Sequence, residues 1–232
     1  GFGEVLGHMN IAARLRIGKR KLFKQTSDLA EKSYAERIRL AMEELGPTFI
    51  KLGQVLSTRP FLIPVELVVE LTKLQDEVAP FEFNLVRKIV EDELKAPVSE
   101  IFESLKEKPV ASASLAQVHV GMLKDGRKVA VKVQRARVKE IMEVDMIILR
   151  DLAELLERFV PESKRYDPTG QIDELAKVSR RECDFLYEAR NMEIFALNYA
   201  DDPTVKIPDI YWEYTTNKVL VAEYVEGIKI SD

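Results

Sequence analysis

The chain has 232 residues, 46% of them hydrophobic, and its 35 Lys+Arg against 39 Asp+Glu leave a net charge of −4. That length supports one large domain or two small ones with a real core, and the near balance of charge argues against general affinity for nucleic acid. A single cysteine, Cys183, excludes an intrachain disulfide framework and fits a reducing, cytoplasmic setting; no apolar run approaches the ~18 residues that span a bilayer, and no secretory leader is visible.

Charge is unevenly spread. Arg14, Arg16, Lys19, Arg20, Lys21 and Lys24 cluster with no acid among them. Such a cluster suits an anionic membrane surface or an acidic partner, and equally a solvated arm. Residues 28–104 read as helices. Asp28 can cap a helix over 28–45 that Gly46-Pro47 ends, and Pro47 then suits the first turn of the next. This second helix carries Phe49, Leu52, Val55 and Leu56 as an apolar stripe, and Arg59-Pro60 stops it. A third is expected over 65–76 and a fourth over 82–94, before Pro97.

From about residue 105 the texture changes to short strands, expected near 105–112, 116–123 and 128–134. Lys124-Asp125-Gly126-Arg127 makes a hairpin turn between the last two, with glycine where positive φ is needed. Helix is expected over 138–159, a polar loop to Pro168, a second long helix over 171–199, and strands over 208–214 and 218–225. The domains expected are a helical extension over 1–104 and a strand-rich unit over 105–232, with a helical insert at about 136–170.

The strand at 128–134 holds the most informative run, Val129-Ala130-Val131-Lys132-Val133-Gln134. The three valines point to one face, and Ala130, Lys132 and Gln134 to the other. A lysine buried there needs a carboxylate or a phosphate; stripped of its carboxylate while still buried, it would cost roughly 3–5 kcal/mol. V-A-V-K is also the strand signature of the phosphate-gripping lysine of kinase folds, which a helix glutamate positions. Glu182, Asp184 and Glu188 are the candidate partners on the long helix.

Four motifs in order resemble the UbiB/ADCK family of atypical, protein-kinase-like proteins. They are Lys51-Leu52-Gly53-Gln54 (K-x-G-Q), Ala111-Ser112-Ala113-Ser114, Val129-Ala130-Val131-Lys132, and Glu182-Cys183-Asp184 (E-x-D) followed by Phe185-Leu186-Tyr187-Glu188. The likeness runs from Phe2-Gly3 to Gly227. It implies an α+β fold: a kinase-like amino-terminal lobe with about five antiparallel strands and an αC-type helix, preceded by a helical extension. It further implies binding of ATP or ADP with Mg²⁺, ATPase rather than ordinary protein-kinase activity, and support of ubiquinone or other prenyl-lipid biosynthesis beside a membrane, with lipid-biosynthetic proteins as partners. Carried over, Lys132 is the nucleotide lysine and Glu188 its helix partner. Ala111, Ser112, Ala113 and Ser114 replace the glycine-rich phosphate loop. Lys51 and Gln54 cover the cleft, with Glu182 and Asp184 facing them.

Several readings rest on the residues beside that resemblance. Alanine in place of glycine restricts the phosphate loop, while Ser112 and Ser114 retain hydroxyl donors; small residues there also suit tight strand packing. Gly53 lets another backbone approach the Lys51–Gln54 helix. Glu223, Tyr224 and Val225 follow the last strand as a kinase hinge would and are candidates to meet adenine. His119 and Cys183 read as structural. Phe61 stands where the family pattern leads one to expect an aspartate. No H-x-D or D-F-G occurs, so the carboxy-terminal lobe and its metal-binding side chains are expected outside this chain, and the fragment is expected to self-associate. The competing reading is a pseudokinase scaffold with a vestigial nucleotide site.

Overall fold

The computed structural model describes residues 32–75 and 79–228; Asp28 and the basic cluster at 14–24 lie outside them. The described chain opens with α1 (Tyr34–Leu45), whose first turn is capped by Ser33 accepting from Glu36 N. Next come α2 (Pro47–Ser57), with Pro47 in its first turn as expected, and α3 (Val65–Thr72), which continues as a 3₁₀ turn, Lys73–Gln75. Ala35, Ile50, Leu67, Leu71 and Leu74 form the core of this trio, and Arg39 fastens α1 to α3 through Glu70 at 3.0 Å.

After α4 (Phe83–Leu94) and the short α5 (Val98–Ile101) the sheet begins. Its strands are β1 (Phe102–Leu105), β2 (Ala111–Ser112), β3 (Ala116–Leu123), β4 (Lys128–Gln134) and β5 (Val219–Glu223). They form an antiparallel sheet in the order β1-β3-β4-β5, with β2 also pairing with β3. Gly126 takes φ +85° in the β3–β4 turn, as that turn demands. The expected strand over 105–112 is instead β1 and β2, because Pro109 offers no N–H and the chain leaves the ladder between Lys106 N→Val120 O and Val110 N→Val118 O.

Val129, Val131 and Val133 are fully buried, and with Val219 and Val221 they pack against Val86 and Val90 of α4. The opposite face holds Ala116, Leu220 and Ala222 under α8 (Phe185–Asn198). The sheet is therefore a middle layer between α4 and α8. Between β4 and α8 run α6 (Val138–Phe159), a 3₁₀ turn (Pro161–Tyr166) inside the expected polar loop, and α7 (Pro168–Glu182). Phe49, Leu52 and Val55 of α2 pack on the α6–α7 pair beside Met146, Leu149, Leu175 and Ala176.

Two further expectations need correction. The helix over 171–199 is two helices, broken at Cys183-Asp184, where the Asp184 carboxylate accepts from Leu186 N and Tyr187 N and so starts α8 afresh. The strand over 208–214 reduces to one bridge, Ile210 with Ala222, before a 3₁₀ turn, Trp212–Tyr214. Pro208 cannot donate to a ladder, and Tyr211 N→Val221 O and Glu223 N→Asp209 O are what hold this segment to the sheet.

His119 is structural, as expected. It is fully buried, with Nδ1 2.8 Å from Lys106 O and Nε2 2.8 Å from Gln117 Nε2. A neutral ring meets both, donating to the carbonyl and accepting from the amide; protonation would set two donors against each other. Burial accordingly lowers the His119 pKa from its ordinary 6.5, despite the opposing bond to Lys106. The unfolded state then binds the proton first, so stability is complete above about pH 6.5 and is lost as pH falls towards the depressed folded value. In urea unfolding the free energy should drop by up to about 1.4 kcal/mol per pH unit below 6.5, and His119→Asn should flatten that slope.

Candidate functional site

The site is built around Lys132. Its position in β4 aligns it across the sheet with Val118, Ala111 and Leu220, so the loop motif and the lysine share one row of strands. Its side chain leaves the sheet on the α8 face. The ammonium lies over the ring of Phe185, 4.8 Å from the centroid, and meets Glu188 Oε1 and Oε2 at 2.7 and 2.6 Å. Because Phe185 and Ala189 are fully buried against the sheet, Glu188 is held one helical turn above the break, facing Lys132. The two side chains remain 29% and 36% exposed, so an anion can reach the ammonium from solvent. The same exposure reduces the cost of losing Glu188 from the buried-pair figure to about 1 kcal/mol.

The extension reaches the same helix break from the other side. Lys51 Nζ of α2 meets Glu182 Oε1, on the last residue of α7, at 2.7 Å. Two ion pairs thus bracket the Cys183-Asp184 break: Lys51–Glu182 before it and Lys132–Glu188 after it. The other two motif residues point elsewhere. Gln54 donates through Nε2 to Leu74 O at 2.8 Å, within the extension, and Asp184 caps α8. What approaches Gly53 is side chain rather than backbone, since any Cβ there would strike Leu74 and Met42. Cys183 packs with Leu115, Val138 and Met142; burial, with Glu182 beside it, pushes its thiol pKa up to about 11, a poor nucleophile at neutral pH.

The loop that would lie over phosphates is tightly turned, with Ala113 N donating to Ala116 O at 2.8 Å. Ala111 and Ala113 are exposed, Ser112 is half-buried, and Ser114 is buried. Ser112 stands opposite Gln117 in the β2–β3 register, so its side chain lies on the α4 face of the sheet, away from Lys132. Behind the loop stands Arg135, just past the end of β4. Its side chain donates to Ala113 O at 3.0 Å, to Ser112 Oγ at 3.1 Å and to Ala79 O at 2.7 Å.

At the far end of β5, Tyr224 N already donates to Lys128 O, and the Glu223 carboxylate meets Lys206 at 2.6 Å; Val225 is exposed. An incoming base would therefore find Val225, rather than the Tyr224 N–H, free of the sheet. Phe61 is 76% exposed and takes part in none of these contacts.

Sequence reasoning missed three supporting residues. Arg135 carries no motif. Gln134 donates to Cys183 O at 2.8 Å and holds the helix break against β4; Gln117 exchanges two hydrogen bonds with the backbone of Phe81. The signal available was the run of polar residues at inward positions: Gln117 and His119 on β3, and Gln134 on β4. Away from the site, an apolar groove of about 440 Å³ lies between α2, α6 and α7, lined by Leu52, Val55, Leu149, Leu152, Ile172 and Leu175.

Comparison with known proteins matches residues 73–232 to the ABC1 atypical kinase-like domain. A probable protein kinase UbiB from Cellvibrio japonicus is 40% identical over 225 residues, 97% of this chain and 40% of that protein. The chloroplastic protein ACTIVITY OF BC1 COMPLEX KINASE 8 of Arabidopsis thaliana is 45% identical over 205 residues, 88% of this chain and 27% of its own length. Among solved structures, the complex of Rv3197 with erythromycin from Mycobacterium tuberculosis aligns with a TM-score of 0.57 at 31% identity, covering 89% of this chain and 51% of that one. The chain thus spans about two-fifths of the length of the UbiB relative.

Proposed function

This chain belongs to the ABC1 atypical kinase-like family, and we propose that it is the nucleotide-binding, amino-terminal part of a UbiB-like ATPase rather than of a conventional protein kinase. The observation that carries the proposal is the half-exposed Lys132 ammonium, bidentate on Glu188 and in one strand row with the Ala111–Ser114 loop. A polyphosphate fits these residues. Lys132 would bind it as a cation; Glu188 would orient Lys132; the backbone of the Ala111–Ser114 loop would lie over the phosphates; Glu223, Tyr224 and Val225 would border the base. Mg-ATP, when bound, supplies the phosphoryl group. The catalytic-loop and metal-binding side chains would come from a carboxy-terminal lobe beyond these 232 residues.

The extension supports the ATPase reading. Lys51, Gln54, Glu182 and Asp184 are proposed as the functional set, Lys51–Glu182 tying the extension to the end of α7, immediately before the break at which the Glu188 helix starts. A helix pinned there would obstruct a peptide-binding cleft. Support of prenylated-quinone biosynthesis, contact with an anionic membrane surface and binding of lipid-biosynthetic proteins belong to the same proposal and rest on the likeness to UbiB proteins. No helix among the described residues is long and apolar enough to cross a membrane. The scaffold alternative has one observation in its favour, the apolar groove between α2, α6 and α7.

Calorimetry with ADP and ATP in the presence of Mg²⁺ tests the proposal, on this chain and on the chain joined to a carboxy-terminal lobe. Binding is expected; silence in both leaves the scaffold. Lys51→Ala separates the extension's role from stability. The Lys51–Glu182 pair is partly exposed, so thermal unfolding should shift by no more than about 1 kcal/mol, while ATP turnover of the lobe-complete protein should change well beyond what that loss explains.

A further inference from the structure

The alanine-rich loop lacks the backbone freedom of glycine, yet the neighbouring side chains do more than tolerate its shape. The backbone N–H of Arg135 donates to Leu115 O at 2.8 Å, and its guanidinium reaches Ala113 O and Ser112 Oγ. The same guanidinium holds Ala79 O, in the segment joining α3 to α4, and lies 5.3 Å from the centroid of the Phe81 ring. That segment is itself bound to β3 by the Gln117 amide, at 2.9 and 3.2 Å from Phe81 N and O. One planar fork thus ties the loop, the end of β4 and the chain entering α4 into a single unit. These partners are neutral oxygens, so the positive charge is left uncompensated by them.

We infer that Arg135 is a positioning residue for the nucleotide polyphosphate: from the α4 face of the sheet it fixes the Ala111–Ser114 loop in the shape that lies over the phosphates. This rests on the nucleotide-binding reading above. Ser112 stands opposite Gln117, on the face of the sheet away from Lys132, so its hydroxyl anchors the loop by accepting from Arg135. Arginine suits the task because several N–H groups point in fixed directions at once; the point charge of a lysine cannot serve three acceptors so placed.

The test is binding of ATP, ADP and adenosine to Arg135→Ala, Arg135→Lys and Ser112→Ala proteins, with amide hydrogen exchange of residues 111–116. Arg135→Ala and Arg135→Lys should bind ATP and ADP about tenfold more weakly, the scale of one lost charge-assisted hydrogen bond, with adenosine affinity unchanged. Exchange in the loop should rise in both, and adding Ser112→Ala to Arg135→Ala should cost less than the two changes separately. Folded variants that bind ATP within twofold of the parent, or that lose adenosine and ATP equally, overturn the inference. A parent protein that binds no nucleotide removes the underlying reading, and this inference with it.

Discussion

Lys132→Ala should weaken ADP and ATP binding by roughly 10- to 150-fold, the range of about 1.5–3 kcal/mol for hydrogen bonds to a charged group. The fold should survive the change, because the Lys132 side chain is 29% exposed and the β4 valines, not Lys132, make the buried contacts with α4. Glu188→Gln should act in the same direction but less strongly, since it leaves the cation in place and removes only its orientation. Combining both substitutions should show coupling: once Lys132 is gone, Glu188 has no cation to orient. Titration of the four proteins with Mg-ADP reads this directly, and additive losses would mean that the two residues act separately.

The largest loss of stability is expected from Phe185→Ala, about 3–5 kcal/mol, for a ring that is fully buried between α8 and the sheet. That is a large share of the 5–15 kcal/mol that typically separates folded from unfolded chains. The effect should reach the site as well. Phe185 is the first residue of α8 and lies beneath the Lys132 ammonium, so its removal withdraws both the helix contact that aims Glu188 and the surface on which Lys132 rests. Phe185→Leu, which keeps most of the apolar volume, should recover much of the stability and less of the nucleotide affinity, since the ring face is gone. Chemical denaturation beside nucleotide titration separates the two losses.

What was legible in the sequence was what local chemistry decides. Pro47 at a helix start, Gly126 at a turn and the valine alternation of β4 each select one backbone state or one face, so those elements lie where they were expected. For Lys132, local chemistry required an anion and left Glu182, Asp184 and Glu188 open; the resemblance to the UbiB/ADCK family singled out Glu188, which the structure pairs with it. The failures share a cause. The break at Cys183-Asp184 depends on a cap competing with helix continuation, and Gln134, 49 residues away in sequence, stabilises the broken form through Cys183 O. Asp184 was expected to face the extension, but a carboxylate that caps α8 has its oxygen committed to backbone N–H groups. Gln54 turns inward to Leu74 O because the 3₁₀ turn after α3 presents that carbonyl, which the K-x-G-Q spacing does not encode. Arg135 left no local signature, as its acceptors come from residues 79 and 112–113, brought together only by the tertiary fold.

The central claim is that nucleotide phosphates lie against Lys132, and an acyl-phosphate derivative of ATP tests it most directly. Such a probe acylates the amine nearest the polyphosphate, and mass spectrometry then identifies the residue. The expected result is acylation of Lys132, suppressed by excess ADP, while exposed lysines such as Lys177 react slowly and without regard to ADP. Lys132 left unmodified, or modified equally with and without ADP, would contradict the account.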